Sequence, residues 1–154
     1  MTAMKDAGNL TQYVTFVASG QLFGLPIERV QDVFKPSAIT RVPLAGPEIA
    51  GVLNLRGRIV TAIRLCARLD LENRGRAEAP MAIGIESDGE SFGLLVDGVG
   101  EVLKSPDCDR EPIPLNLDRK LARVAAGVVR LDDQLLVILD IDRVLDFGVA
   151  AAAA

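Results

Sequence analysis

The stretch GVLNLRGRIV, residues 51–60, predicts a β-hairpin, because two apolar, strand-forming pieces flank one short turn. Asn54 at the first turn position and Gly57 at the fourth are typical of a type I turn. Gly57 in the left-handed region would complete a three-residue hairpin with a bulge. Leu55 and Arg56 are then the exposed central residues. They form either ordinary surface, with Leu55 folded back onto its own β structure, or a recognition tip.

Three more hairpins are predicted around this one. Their strand-forming runs and turn signals are 13–18 and 21–25 around Ser19-Gly20, 81–86 and 91–96 around Ser87–Glu90, and 126–131 and 134–139 around Asp132-Asp133. So many short strands favour a mainly β protein. The polar spacer at 70–80 divides it into two β-rich halves, each the size of a small barrel. Residues 1–12 and 149–154 are expected to be flexible ends.

Two segments carry helical patterns. In LPIERVQDVF, residues 25–34, a proline stands at the first helical position and apolar residues recur at 27, 30 and 33 or 34. This spacing predicts a short helix after the second strand. Near the end of the chain, Asp140 is a predicted N-cap. Ile141, Val144 and Leu145 give the C-terminal helix that follows it an apolar face for docking.

Composition and charge restrict the class of protein. The chain has 154 residues, is 49% hydrophobic and 25% charged, and carries a net charge of -4. This composition is that of a globular domain, and its acidity argues against binding a nucleic-acid backbone. No segment approaches the length of apolar sequence that spans a membrane, so a cytoplasmic protein without membrane insertion is expected. Cys66 and Cys108 form no CxxC pair and are expected to be reduced thiols.

The residue inventory offers no catalytic constellation. The chain has no histidine, which removes the commonest general base and metal ligand. Gly98-x-Gly100 lacks the third glycine of a dinucleotide fingerprint. The acidic run from Asp107 to Glu111 is followed by Pro112, where a calcium loop requires glycine. We therefore predict a protein that is not an enzyme and has no metal and no cofactor.

The residues around the opening turn also resemble a known family. GVLNLRGRIVTAIRL looks like the central signature of the CheW family of chemotaxis coupling proteins. Four further segments are similar to that family in the same order: FGLPIERVQDV, RVPLAGPEIAGVLNLRG, FGLLVDGVGEVL and AAGVVRLDDQLLVILDIDRVL. The resemblance covers about residues 13–146, and it implies a CheW-like domain over 13–148.

The resemblance implies two small five-stranded, SH3-like β-barrels packed around a shared apolar seam. It implies an adaptor that links the cytoplasmic tips of chemoreceptors to a CheA-type histidine kinase through that kinase's CheW-like regulatory domain. Such a protein would be a monomer alone, would form rings in signalling arrays, and would be recruited to the inner membrane through its receptors. The alternatives are a CheW-like adaptor of a non-flagellar pathway, such as surface motility, and an acidic β-barrel binding module of another kind.

The resemblance also assigns roles to individual residues. The receptor-binding positions are Arg56, Leu55 and Val102. The kinase-binding positions are Val30, Asp32, Gly51, Glu111 and Pro112. Plain structural interpretations remain open beside these roles: Val30 and Val102 as core residues, Gly51 as a backbone requirement, and Asp32 as a solvated carboxylate or a surface partner of Arg56. Where the family commonly has Glu, Pro and Asp, this chain has Asp32, Thr61 and Arg64, so its particular receptors and kinase stay open.

Overall fold

The computed structural model describes residues 10–69, 71 and 80–146, apart from the side chain of Cys108. The strands within these residues are β1 Leu10–Ala18, β2 Gln21–Pro26, β3 Val30–Phe34, β4 Ile49–Leu55, β5 Arg58–Arg64, β6 Met81–Ser87, β7 Glu90–Val96, β8 Gly98–Pro106, β9 Arg110–Glu111, β10 Ala125–Arg130 and β11 Leu135–Leu139. The helices are α1 Leu65–Arg68, α2 Arg119–Ala122 and α3 Ile141–Val144, and two 3₁₀ turns lie at Ile27–Arg29 and Asp107–Asp109. The protein is mainly β, and the four predicted hairpins are confirmed.

The strands form two sheets, here called sheet I and sheet II. Sheet I has the order β8-β1-β2-β11-β10-β9, and sheet II has the order β3-β6-β7-β5-β4. Neighbouring strands are antiparallel except at one contact in each sheet, where β2 runs parallel to β11 and β5 parallel to β7. The edge strands β8 and β9 are joined by the turn Asp107–Asp109 alone, which is too short to cross six flat strands. Sheet I therefore curls until its edges approach each other.

Each sheet takes strands from both sides of the spacer at 70–80. The N-terminal hairpin β1–β2 lies in sheet I beside β11, and the hairpin β6–β7, which follows the spacer, lies in sheet II between β3 and β5. The expected divide at 70–80 therefore does not coincide with the boundary between the sheets. The parallel pairs β2–β11 and β5–β7 cause this exchange, and local turn signals do not reveal pairing between strands so distant in sequence.

The short helix predicted after the second strand is present as a 3₁₀ turn, but its predicted extent over residues 25–34 is wrong. The chain forms the 3₁₀ turn Ile27–Arg29 and then strand β3, and the turn carries it from sheet I into sheet II. Burial along β3 alternates, so that Val30 and Phe34 are half-buried while Val33 lies on the exposed face. The apolar spacing fitted both a helix and a strand, and antiparallel pairing with β6 decides for the strand.

The ends of the chain differ partly from expectation. Strand β1 begins at Leu10, and residues 10–12, expected to be flexible, pair with β8. Residues 1–9 and 147–154 lie outside the described residues, as do 70 and 72–79 of the spacer. No helix within the described ranges is long and apolar enough to cross a membrane.

The predicted C-terminal helix is confirmed as α3. Asp140 caps it, since its Oδ1 accepts hydrogen bonds from the N–H groups of Asp142 at 3.1 Å and Arg143 at 3.4 Å. Ile141 and Val144 are buried in the main core. A helix of four residues is not stable on its own, so this burial and the cap are what form it.

One apolar core joins the two sheets. It contains buried residues of both, such as Phe16 and Phe23 from sheet I and Ile83 and Leu94 from sheet II. Smaller clusters fill the inside of each sheet separately, around Tyr13 in sheet I and around other apolar side chains in sheet II. The largest core is thus the shared seam that the family resemblance implies, and it fixes the two sheets against each other.

Candidate protein-binding site

The tip of the β4–β5 hairpin differs from the predicted turn. Leu55 pairs with Arg58, so that only Arg56 and Gly57 make the turn. Both have positive φ, 54° and 82°, which is the type I′ geometry that suits the twist of hairpin strands. The Oδ1 atom of Asn54 accepts a hydrogen bond from the Gly57 N–H at 2.9 Å. Arg56 therefore stands at the tip, whereas Leu55 is half-buried and packs toward the inside of sheet II.

The Arg56 side chain is held by Asp32 on strand β3. Its Nη2 lies 3.3 Å from the Asp32 Oδ2, while the Arg56 side chain remains 80% exposed and that of Asp32 only 28% exposed. Asp32 is therefore a surface partner of Arg56 and not simply a solvated carboxylate. An ion pair so exposed stabilises a fold by only about 0–1 kcal/mol, so its main effect is to orient the guanidinium outward.

Sheet II curls to make this pair possible. Strands β3 and β4 form opposite edges of the sheet, yet the tip of the β4–β5 hairpin contacts β3. The connection between these two strands also returns to β4. There Thr40 and Val52 exchange two backbone hydrogen bonds of 2.8 Å. This bridge covers part of the β4 edge and links the two ends of the sheet.

Gly51 allows the bridge to form. Its φ is +149°, and a Cβ atom at this position would collide with the backbone carbonyl of Thr40 and would lie 2.8 Å from the Ile39 Cγ2. Gly51 is also buried. Gly51 therefore affects the protein surface only indirectly, by allowing the β3–β4 connection to lie against β4.

A groove of about 370 Å³ lies beside the Arg56–Asp32 pair. Its lining is apolar at Phe34, Leu55, Val60, Ile85 and Phe92. On its polar side, Arg58 Nη1 donates hydrogen bonds to Gln31 Oε1 at 3.4 Å and to Ser91 Oγ at 3.3 Å. An apolar surface bordered by arginines is typical of a site that binds another protein.

Sequence reasoning missed this groove. Its lining residues come from all five strands of sheet II, and the strands before and after the spacer are brought together by the β3–β6 and β5–β7 pairings and the curl of the sheet. The one available signal was Arg58, which lies two residues beyond Arg56 on the same hairpin and is exposed.

The two valines of the resemblance lie in different environments. Val102 is on edge strand β8 and is 47% exposed, so it is a surface residue and not part of the core. Val30 is half-buried on β3 and packs against the shared core, with part of its surface still accessible. The structure therefore places Val30 in the same strand as Asp32, and Val102 on the other sheet.

Glu111 and Pro112 lie at the opposite edge of sheet I from Val102. Glu111 belongs to the short strand β9, where its Oε1 lies 3.0 Å from Arg130 Nε. Pro112 follows it and is exposed. The structure thus brings Arg56, Leu55 and Asp32 together, and separates them from the residues assigned on sheet I.

The two departures on β5 have different surroundings. Thr61 is half-buried and pairs with Phe92 across the parallel contact. Arg64 is exposed at the end of β5 away from Arg56, and its Nη1 donates to the Pro47 carbonyl at 3.2 Å. The positive charge of Arg64, where the family commonly has Asp, therefore lies against the end of the β3–β4 connection and does not face the hairpin tip.

Cys66 is a half-buried free thiol on helix α1. Burial raises the pKa of this thiol, and the nearby Asp97 carboxylate raises it further. Both effects favour the protonated form, which is a poor nucleophile.

Two curled β sheets around one core, with an oriented arginine beside an apolar groove, define a β interaction domain. Among the described residues, no group of three Cys, Asp or Glu side chains is arranged to hold a metal ion. The site is suited to bind another protein surface.

Comparison with known proteins gives the family. The model of the CheW-like domain matches residues 12–148, and the chain therefore belongs to the CheW-like domain family. It is similar to the chemotaxis protein CheW of Thermotoga maritima, with 27% identity over 146 residues and 95% of each chain covered. The CheW protein of Bacillus subtilis is 28% identical over 146 residues, covering 95% of this chain and 92% of the relative.

A solved structure has the same fold. The crystal structure of the scaffolding protein TtCheW from Thermoanaerobacter tengcongensis matches with a TM-score of 0.81 and 30% sequence identity, over 90% of this chain and 89% of that one. The predicted family and the predicted mainly β, two-part SH3-like fold class are thereby confirmed.

Proposed function

We propose that this protein is a chemotaxis coupling protein that links the cytoplasmic tips of chemoreceptors to a CheA-type histidine kinase. Membership of the CheW-like family supports this function. The structural observation that carries it is Arg56, because an ion pair with Asp32 orients a guanidinium that is still 80% exposed. Arginine held at an exposed, rigid tip is suited to recognise a partner by charge and hydrogen bonding.

The proposed receptor surface contains Arg56, Leu55 and Val102, and the proposed kinase surface contains Val30, Asp32, Glu111 and Pro112. Gly51 supports the kinase surface from inside. The two surfaces meet at the Arg56–Asp32 pair, since one partner of that pair is assigned to each. A protein that binds at Asp32 would change the position of Arg56, so binding on one surface would alter the other.

The remaining parts of the proposal follow from an adaptor role. The protein works by binding and has no catalytic activity of its own, acts in the cytoplasm, and joins membrane receptor arrays through its partners, where it contributes to rings. Each contact is of modest size, near or below about 800 Å² per partner, which suits reversible assembly. A non-flagellar chemosensory pathway uses the same surfaces with different partners and is the second candidate.

Binary binding measurements test the two surfaces separately. The purified protein is titrated with a receptor cytoplasmic fragment and, in a second series, with the regulatory domain of the kinase. Val102→Glu is expected to weaken receptor binding about tenfold and to leave kinase binding within about twofold, because it places an unpaired carboxylate in one interface only. Glu111→Lys is expected to show the reverse selectivity.

Lys35→Glu is the control, since Lys35 is exposed and lies outside both proposed surfaces. It should change neither affinity. If each variant weakens both partners equally, the assignment of separate surfaces is wrong. If the wild-type protein binds neither partner, the proposed coupling function is wrong.

A further inference from the structure

A second groove, of about 350 Å³, lies between the end of α1 and the helix α2. Four cationic side chains line it: Arg68, Arg119, Lys120 and Arg123. Its apolar lining comes from Leu69 and Val124, which are buried. Four positive charges converge here although the whole chain carries a net charge of -4. This surface, here called the basic groove, is therefore opposite in sign to the protein as a whole.

Two of these cations have no ion-pair partner among the described residues. Arg119 and Arg123 are exposed, and neither forms an ion pair with any residue in the described ranges. Asp118 is the acidic residue next to Arg119 in sequence, and its carboxylate accepts the Lys120 backbone N–H at 2.8 Å as the cap of α2. The local carboxylate is thus already engaged by the helix.

The charges around Arg68 are of both signs. Burial lowers the pKa of the Arg68 guanidinium, the carboxylates of Glu48 and Asp146 raise it, and repulsion from Arg123 lowers it. Arg68 thus already has two carboxylates near it, which leaves Arg119 and Arg123 as the residues proposed to bind a ligand. Like-charge repulsion between Arg68 and Arg123 would be relieved by an anion placed between them.

The basic groove is remote from the Arg56 tip. Helix α1 directly follows β5, whose other end is the tip of the β4–β5 hairpin. Seven extended residues separate the two ends, which is about 20 Å. A partner in the basic groove therefore leaves the Arg56 surface free.

We propose that the basic groove is a further docking surface for an acidic segment of a protein partner, with carboxylates on Arg119 and Arg123. Leu69 and Val124 are each only 2% exposed, so charge complementarity with the two exposed guanidinium groups is what fits such a segment. A nucleic acid is a poorer fit, since a phosphate backbone requires a longer basic surface than four residues on an acidic protein provide. The surface is independent of the proposed coupling function.

A labelled peptide tests the charge requirement. Fluorescence anisotropy compares a fluorescein-labelled peptide of repeated Glu-Glu-Leu with the same peptide carrying Gln in place of Glu. The full-length protein is expected to bind the Glu peptide at least about tenfold more tightly than the Gln peptide in about 50 mM NaCl, and raising the salt to about 300 mM should remove most of this difference. Equal binding of the two peptides would overturn the proposal.

Matched variants locate the site. Arg119→Ala with Arg123→Ala should weaken binding of the Glu peptide at least about fivefold, whereas Lys35→Ala with Arg41→Ala removes the same charge elsewhere and should change it less than twofold. Arg119→Lys with Arg123→Lys should retain most of the affinity, which separates loss of charge from loss of folding. Equal losses in both alanine pairs would contradict a local site.

Amide chemical-shift changes provide an independent readout on the wild-type protein. The Glu peptide is expected to shift amides of residues 65–69 and 118–124 and to leave those of residues 54–58 in place. Shifts confined to other regions would overturn the assignment. Stronger, arginine-dependent binding to phosphatidylglycerol vesicles or to single-stranded RNA than to the peptide would overturn the choice of a protein partner.

Discussion

Arg56 occupies a backbone conformation that disfavours its own residue type. Its φ of 54° lies in the left-handed region, which costs an L-residue with a Cβ atom roughly 1–2 kcal/mol. The exposed ion pair with Asp32 stabilises the fold by only about 0–1 kcal/mol. Stability alone therefore does not account for an arginine at this position, which agrees with the recognition role proposed for its side chain.

The first prediction concerns Arg56→Asn. Asn-Gly is the preferred pair for a type I′ turn, so this variant is expected to be as stable as the wild type or up to about 1 kcal/mol more stable. Urea denaturation followed by circular dichroism measures the change. A loss of more than about 1 kcal/mol would show that the Arg56–Asp32 pair stabilises the fold and does not mainly orient the guanidinium.

Gly51 and Gly57 make a matched pair for a second prediction. Both have positive φ, but a Cβ on Gly57 meets no atom within 4 Å, whereas one on Gly51 collides with the Thr40 carbonyl. Gly57→Ala should therefore cost about 1 kcal/mol of unfolding free energy from backbone strain alone. Gly51→Ala should cost at least about 2 kcal/mol, because it also displaces the Thr40–Val52 bridge. Equal costs in urea denaturation would mean that the bridge contributes nothing.

At the scale of elements, the success of sequence reasoning depends on how local each signal is. The turn residues Ser19-Gly20 and Asp88-Gly89 predicted their hairpins correctly, because adjacent residues set the geometry of a turn. Asp140 predicted the start of α3 for the same reason, since a cap is also a local feature. The helix predicted after Pro26 extends only over Ile27–Arg29, because the apolar spacing of residues 30–34 fits both a helix and a strand and pairing with β6 decides for the strand. The groove beside Arg56 was missed because strands distant in sequence form it.

Helix α3 is held in place by Arg68 from helix α1. Arg68 Nε donates to the Val144 carbonyl at 2.6 Å, and Nη2 donates to the carbonyls of Arg143 at 2.9 Å and Asp146 at 3.2 Å. A guanidinium at a helix C-terminus satisfies carbonyls that lack partners and opposes the negative end of the helix dipole. The contact connects the element after β5 with the element after β11.

We therefore predict that Arg68→Ala lowers the unfolding free energy by about 2 kcal/mol and loosens α3. Hydrogen exchange of the amides of residues 144 and 145 should accelerate strongly. The amides of β6 and β7 should slow exchange as much as the remaining free energy of unfolding allows. Arg143→Ala is the control, since its side chain makes only a weak pair with Asp140 at 3.7 Å. Unchanged exchange at α3 in Arg68→Ala would show that core packing alone holds the helix.

At the scale of the whole molecule, the exchange of hairpins makes the two halves interdependent. Sheet II without β6 and β7 leaves β3 separated from β5, and sheet I without β1 and β2 leaves β8 separated from β11. Fragments 1–75 and 76–154 are therefore expected to be unfolded when separate and to regain β structure when mixed in equal amounts. Circular dichroism and one-dimensional proton NMR distinguish these states. A folded spectrum from either fragment alone would contradict the interdependence.

The proposed role of Arg56, to couple receptor to kinase from the hairpin tip, is tested most directly by receptor-dependent kinase activation in a reconstituted mixture. Kinase autophosphorylation is measured with a receptor cytoplasmic fragment and wild-type protein, Arg56→Asn, or the control Lys35→Ala. Wild type and Lys35→Ala are expected to activate the kinase equally, whereas Arg56→Asn, folded and at least as stable, is expected to lose about 90% of the activation or more. Full activation by Arg56→Asn would show that the Arg56 side chain does not couple receptor to kinase.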